Sequence, residues 1–249
     1  DSVNVTAFQN IDASALDVAH PVTLVGSTGA NVITGGSGAD TIDGAGGADV
    51  ISAGAGADIV VVSGAEASID GGSGSDTLTL AASVVVTAVD FSGAPGADQT
   101  AGDATNVANF ENVDASAQTA ALALTGSSAA NTIIGGSGDD VIDGKGGADV
   151  VSAGGGADTV SYYSAETSID GGAGANTLVM KAAATVNLAN VDQTAGDTTS
   201  VANFQNVDAS ALSSGVTISG SAGDNVITGG AGADVIDGAG GSDMISAGL

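Results

Sequence analysis

The chain has 249 residues, with 2 Lys or Arg against 29 Asp or Glu and a formal net charge of −27. So few cations exclude a nucleic-acid partner, because phosphate contacts need Lys and Arg. The 43% of hydrophobic residues is more than an acidic disordered chain carries, so those residues must be buried and the acids neutralised for the chain to become compact. No apolar run approaches the ~18 residues of a membrane-spanning helix. One His and no Cys rule out a multi-His or Cys metal centre and a His-based triad.

In chain order, residues 1–25 read as the end of a spacer. From Gly26 to Thr79 a nine-residue period runs without a slip: GSTGANVIT, GGSGADTID, GAGGADVIS, AGAGADIVV, VSGAEASID and GGSGSDTLT. Each unit leads from a Gly-rich stretch to Asp or Asn at the sixth place in most units and an aliphatic residue at the eighth, as in Ile33, Ile42, Ile51, Val60, Ile69 and Leu78. A flexible Gly/Ser/Asp linker would have no use for an aliphatic residue every nine positions. So strict a period means one supersecondary unit stacked many times. Residues 80–125 lose the Gly-Asp turn but keep β character in VVVTAV and ALALTG. The period returns over 126–179, another spacer with ATVNLANV and GVTISG fills 180–219, and a third block occupies 220–249. Continuation of the stack through the spacers is expected, since neither spacer is long enough for a core of its own. SGAPGA at 92–97 reads as a loop insertion.

A larger repeat lies above the nonapeptide. AFQNIDASA from Ala7 recurs as NFENVDASA from Asn109 and NFQNVDASA from Asn203, which places Phe8, Phe110 and Phe204 102 and 94 residues apart. DQTAGD appears at Asp98 and again at Asp192. The chain is thus about two and a half cassettes of ~95–100 residues, read as part of a longer tandem array. The three Phe residues are expected to fill the core at the junctions, Tyr162-Tyr163 to mark a local break in a turn, and His20 to lie on a surface loop.

The nonapeptide resembles the RTX repeat, GGxGxDxUx, which GGSGADTID and GGSGDDVID follow at every defined position. The resemblance implies an all-β parallel β-roll or β-solenoid with Ca²⁺ bound in Gly-Asp turns, interrupted by Ca²⁺-free β-solenoid coils. It also implies the ligands. Two nonapeptides make one coil of roughly 18 residues, and a cation sits between turns stacked on the same side. The sixth-place oxygens are those of Asn31, Asp40, Asp49, Asp58, Asp76, Asn131, Asp140, Asp149, Asp158, Asn176, Asn225, Asp234 and Asp243. Asp40 pairs with Asp58 through the carbonyls of Gly36, Gly38, Ala53 and Ala55, and Asp58 with Asp76 through Gly54, Gly56, Gly71 and Ser73. In the second block the carbonyls belong to Gly136, Gly138, Ala153, Gly155, Gly154, Gly156, Gly171 and Ala173, and in the third to Gly230 and Gly232. Hard oxygen donors of this kind suit Ca²⁺. Ala67 and Thr167 occupy the sixth place beside Glu66 and Glu166, so the sites shared with Asp49 and Asp149 depart from the pattern. Asp43, Asp143 and Asp237 at the ninth place read as solvated turn residues.

Enzymatic chemistry is not expected. There is no HExxH helix, no G-x-S-x-G elbow and no P-loop Lys, and the repetition of the acids argues for structure. The reading is a structural, Ca²⁺-dependent, secreted cell-surface protein, such as an S-layer, extracellular filament or adhesin component. The alternative is the C-terminal Ca²⁺-binding module of a secreted RTX protease, lipase or toxin. Self-assembly and cell-surface polysaccharide are the expected partners, and the resemblance implies export by type I secretion. Stacked carboxylates ~4.8 Å apart repel one another without a cation. Circular dichroism in EDTA should therefore show a mostly disordered chain, with β signal restored by millimolar Ca²⁺; a β spectrum indifferent to chelator contradicts this reading.

Overall fold

The structure, a computed structural model, describes residues 3–6 (backbone only), 9–64 and 66–248. The described residues form strands and turns with no helix. In the blocks, strands fall on the seventh to ninth places: Val32–Thr34, Thr41–Asp43, Val50–Ser52, Ile59–Val62, Ser68–Asp70 and Thr77–Leu80. The seventh and eighth places hold mostly β-branched residues, with Leu at 78, which pack well on a pleated surface. Period-two alternation then turns the eighth place inward. Ile33, Ile42, Val60 and Leu78 are fully buried, whereas Val32, Val50 and Ile59 beside them are 49%, 42% and 43% exposed. One buried aliphatic side chain contributes ~1.5–3 kcal/mol, yet ordering the backbone costs ~1–2 kcal/mol for each of the nine residues it serves. The aliphatic rows set the register; they do not alone hold the coils closed.

Residues 1–119 and 120–249 form two compact units. In the first, Val22–Val25, Thr41–Asp43, Ile59–Val62 and Thr77–Leu80 pair in parallel along one side of the roll. Asn10–Asp12, Val32–Thr34, Val50–Ser52 and Ser68–Asp70 pair along the other. In the second unit, Ala123–Thr125, Val141–Asp143, Thr159–Tyr162 and Thr177–Met180 make one side. Thr132–Ile134, Val150–Ser152 and Ser168–Asp170 make the other.

The spacers both continue the coil and depart from it. Asn106–Ala108 stacks on Ser68–Asp70, and Asn112–Asp114 on Thr77–Leu80. Ser200–Ala202 and Asn206–Asp208 repeat this on Ser168–Asp170 and Thr177–Met180. Between these strands the chain doubles back. Ala88–Asp90 pairs antiparallel with Thr100–Ala101, and Thr185–Asn187 with Thr194–Ala195. Parallel coils alone do not describe the spacers: each adds one antiparallel pair. SGAPGA lies in the exposed tip of the first pair.

A spacer also exchanges the two sides. Asn206–Asp208 lies between Thr177–Met180, from the sixth nonapeptide of its block, and Val226–Thr228, from the first nonapeptide of the next. Even-numbered strands of one block are thereby continued by odd-numbered strands of the following one. The equivalent strand Asn10–Asp12 likewise pairs with Val32–Thr34, a first-nonapeptide strand.

Phe110 and Phe204 are each 2% exposed and fill the core at these junctions, as read from the sequence; Phe8 lies outside the described residues. Tyr162 is fully buried and donates from its hydroxyl to Asp197 Oδ2 at 2.6 Å, so it ties the fifth turn to the spacer as well as interrupting the Gly pattern. His20 is exposed beside Asp17. No helix among the described residues is long and apolar enough to cross a membrane.

Candidate metal centre

The turns that join the strands are built around close backbone approach. Gly54 and Gly56 have φ of +111° and +139°, and a Cβ on either would strike the carbonyl oxygen of Gly36 or Gly38 in the coil before. Only Gly lets one turn settle onto the carbonyls of the next. The carbonyls of Gly36, Gly54, Gly136 and Gly154 each accept an N–H from the following coil, at 2.8–3.0 Å, which leaves each a second lone pair.

The sixth-place side chains line up along each side. Asp58 Oδ1 accepts from Asp40 N at 2.8 Å, Asp76 Oδ1 from Asp58 N at 2.9 Å, and Asp40 Oδ1 from Val22 N at 2.9 Å. In the second block Asp140, Asp158 and Asn176 accept in the same way from Leu122, Asp140 and Asp158. On the alternate side Asp49 accepts from Asn31, Asp149 from Asn131 and Asp243 from Asn225, while Asp234 accepts from Val216. Every one of these bonds spans 18 residues. Each of these Oδ1 atoms therefore ties its turn to the coil before it.

The other oxygen has no such partner. Oδ2 of Asp49, Asp58, Asp76, Asp149, Asp158 and Asp234 is buried without a hydrogen-bond partner. Asp49, Asp58, Asp76, Asp149 and Asp158 are 0% exposed as whole residues. An unpaired buried carboxylate oxygen is strongly unfavourable. Burial raises the carboxyl of Asp58 to about 6, that of Asp76 to about 7 and that of Asp149 to about 6, with neighbouring acids adding to the rise. At Asp234 the orphaned oxygen has another oxygen nearby: a Cβ on Gly229 would meet both Asp234 Oδ2 at 2.5 Å and Ala247 O at 2.8 Å. The donor set is carboxylate and carbonyl oxygen without nitrogen or sulfur. That set fits a hard cation of the size of Ca²⁺, and the unpaired Oδ2 atoms call for one. No cluster of three His, Cys, Asp or Glu side chains exists among the described residues, because each turn offers mainly backbone carbonyls.

Other sixth-place residues are already closed. Asp40 Oδ2 accepts from Gly36 N at 2.7 Å and Asp140 Oδ2 from Gly136 N at 2.9 Å. Asn31, Asn131 and Asn225 accept from Ser27, Ser127 and Ser221 N, each at 2.7 Å. Asn31 and Asn225 also donate to Gln9 O and Gln205 O, each at 2.6 Å, a bond no carboxylate could make. Asn176 Nδ2 donates to Gly171 O at 2.7 Å. Glu66 and Glu166 explain the departure at the fifth unit: their carboxylates fold back as caps on Ser63 and Gly64 N, and on Tyr163 and Ala165 N. The ninth-place Asp43, Asp143 and Asp237 cap Ala45, Lys145 and Ala239, which all have positive φ. Glu111 and Asp103 were not singled out by the period, since both lie in a spacer. Glu111 Oε2 accepts from Asp76 N at 2.9 Å across 35 residues, and Asp103 Oδ2 is a further buried oxygen without a partner.

Two outcomes follow for the purified chain. Asp58→Ala should weaken Ca²⁺ binding in a calorimetric titration by about tenfold or more, ~1.4 kcal/mol, and Asp43→Ala by much less; equal effects would move the ligands away from the sixth place. The second outcome concerns pH. With Ca²⁺ chelated, folded Asp58, Asp76 and Asp149 retain protons that the unfolded chain, with carboxyls near 3.8, has shed. The metal-free fold should therefore gain stability as pH falls from 7 toward 4 and lose it as pH rises through 6–7. Circular dichroism in chelator across that range checks the sign: β signal should grow as pH falls.

A family model for the RTX calcium-binding nonapeptide repeat (4 copies) matches residues 23–60, 68–82, 125–160 and 217–245, the stretches that hold most of these turns. A search of curated proteins finds no match.

Proposed function

Because the chain belongs to the RTX family of calcium-binding nonapeptide-repeat proteins, we propose that it is a secreted structural protein of the cell surface, an S-layer, extracellular filament or adhesin component, that folds and assembles when Ca²⁺ binds. The observation that carries this reading is the cassette itself. Block and spacer recur, and the strands of one block run through a spacer strand into the strands of the next within a single ladder. A unit that passes its ladder on in this way is suited to extension, whereas a folding aid for a neighbouring enzyme needs only one roll.

The chain's residues divide the work. Each Oδ1 ties its coil to the preceding one, and the Gly-rich turns bring carbonyls close to Oδ2. When bound, Ca²⁺ supplies the positive charge that these oxygens lack. Calcium is scarce in the cytosol and abundant outside, so the repulsion among 29 acids keeps the chain open for export and is relieved only on arrival. Type I secretion suits such a chain.

Electron microscopy of the tandem-cassette protein with and without millimolar Ca²⁺ tests the reading. Sheets or filaments that form with Ca²⁺ and dissolve in chelator are expected. Dispersed monomers at millimolar Ca²⁺, together with hydrolytic activity from a flanking region, would point to the module of a secreted protease, lipase or toxin.

A further inference from the structure

Each block meets its spacer at a boundary, and the two boundaries share a backbone but differ in charge. At the second, Asn203–Gln205 takes the place of a further turn. Gln205 Oε1 accepts from Asn176 N at 2.8 Å, the bond that a sixth-place Asp accepts elsewhere in the row. Asn176 Nδ2 reaches three carbonyls: Gly171 O at 2.7 Å, Asn203 O at 3.1 Å and Gly172 O at 3.4 Å. The amide nitrogen fills the space between stacked carbonyls.

At the first boundary Asp76, Asn109 and Glu111 stand where Asn176, Asn203 and Gln205 stand at the second. Glu111 N and Asn112 N donate to Asp76 O at 3.2 and 2.9 Å, as Gln205 N and Asn206 N do to Asn176 O at 3.1 and 3.0 Å. Asn109 and Asn203 both adopt left-handed backbone, with φ of 60° and 65°, and both donate from Nδ2 to an Asp, Asp70 or Asp170. A Cβ on Gly71 would meet Asn109 O, just as one on Gly171 would meet Asn203 O. The scaffold is the same, yet both amides have become acids. Asp76 is 0% exposed, its Oδ1 accepts from Asp58 N, and its Oδ2 has no partner. Glu111 Oε2 accepts from Asp76 N, which holds the two carboxylates together. Where Asn176 points N–H bonds at carbonyl oxygens, Asp76 can offer them only lone pairs.

We propose that the first boundary is an additional Ca²⁺ site, formed by Asp76 Oδ2, the Glu111 carboxylate and the carbonyls of Gly71 and Asn109, and that Asn176 and Gln205 close the second boundary without metal. The proposal rests on the reading that the turns take up Ca²⁺, and it extends that chemistry to a spacer residue that no nonapeptide contains. Two carboxylates and flexible carbonyls suit Ca²⁺ better than Mg²⁺, which demands near-ideal octahedral geometry. Paired replacement of both acids by both amides is what a charge-balanced site requires: changing one alone would leave either an unpaired anion or an unfilled gap.

The test counts ions bound to the purified 249-residue chain, by calorimetry with CaCl₂ and by elemental analysis after dialysis. Glu111→Gln, which keeps the acceptor for Asp76 N, should remove about one ion or weaken one site at least tenfold. Asn176→Asp with Gln205→Glu should add about one. Unchanged ion counts and affinities in both variants overturn the boundary site while leaving the rows of Asp standing. A wild-type chain that binds no Ca²⁺ overturns both. Should the double variant fail to fold in saturating Ca²⁺, Glu111→Gln alone decides, with its circular dichroism in Ca²⁺ as the check on folding.

Discussion

A buried carboxylate oxygen with no hydrogen-bond partner governs this fold. Asp58 uses one oxygen to hold the coil before it and leaves the other with no partner in the interior of a turn. In the sister turn of Asp40 a backbone N–H, that of Gly36, satisfies the corresponding oxygen, whereas the turn of Asp58 supplies none. The aliphatic rows contribute too little per nonapeptide to override the conflict. The same feature that makes the metal-free chain unfavourable therefore specifies the cation that relieves it.

The molecule resolves this conflict in more than one way, and the choice follows position. Third and fourth turns of the first two blocks leave Oδ2 without a partner, while second turns close it on a Gly N–H in those blocks. First turns of blocks use Asn, whose amide satisfies both a Ser N–H and a Gln carbonyl. Fifth turns use Glu, long enough to bend back and cap its own loop. Unpaired Oδ2 atoms thus gather in the middle turns of the first two blocks, while the Asn and Glu turns are held by hydrogen bonds. The Asp76–Glu111 boundary breaks that rule.

Much of this was legible from the period. Strands at the seventh to ninth places, an inward eighth place and rows of acids 18 residues apart all follow from a nonapeptide and two sides. The fate of individual sixth-place residues was less legible, because it depends on which backbone group lies beside each one. Asn31 and Asn176 occupy the same place in the repeat, yet one caps a Ser and the other reaches three carbonyls. Contacts that leave the period were hidden altogether. Glu111 reaches Asp76 across 35 residues, and Tyr162 reaches Asp197 across 35 as well, distances set by the fold of the spacer rather than by any repeat. The antiparallel pairs were hidden for the same reason: ATVNLANV and VVVTAV show strand character but not direction.

The exchange of sides at the second spacer has a consequence for heredity. A gene made of near-identical cassettes gains and loses them by unequal recombination. Where a spacer swaps odd for even strands along the ladder, as the second one does, deleting one cassette would move a downstream Glu-capped or Asn-sealed turn to the opposite side of the coil. Deleting two would restore the arrangement. If one side of the coil is what neighbouring molecules contact, cassette number among related genes should vary in steps of two, and the parity of the count, more than its size, would be what selection sees.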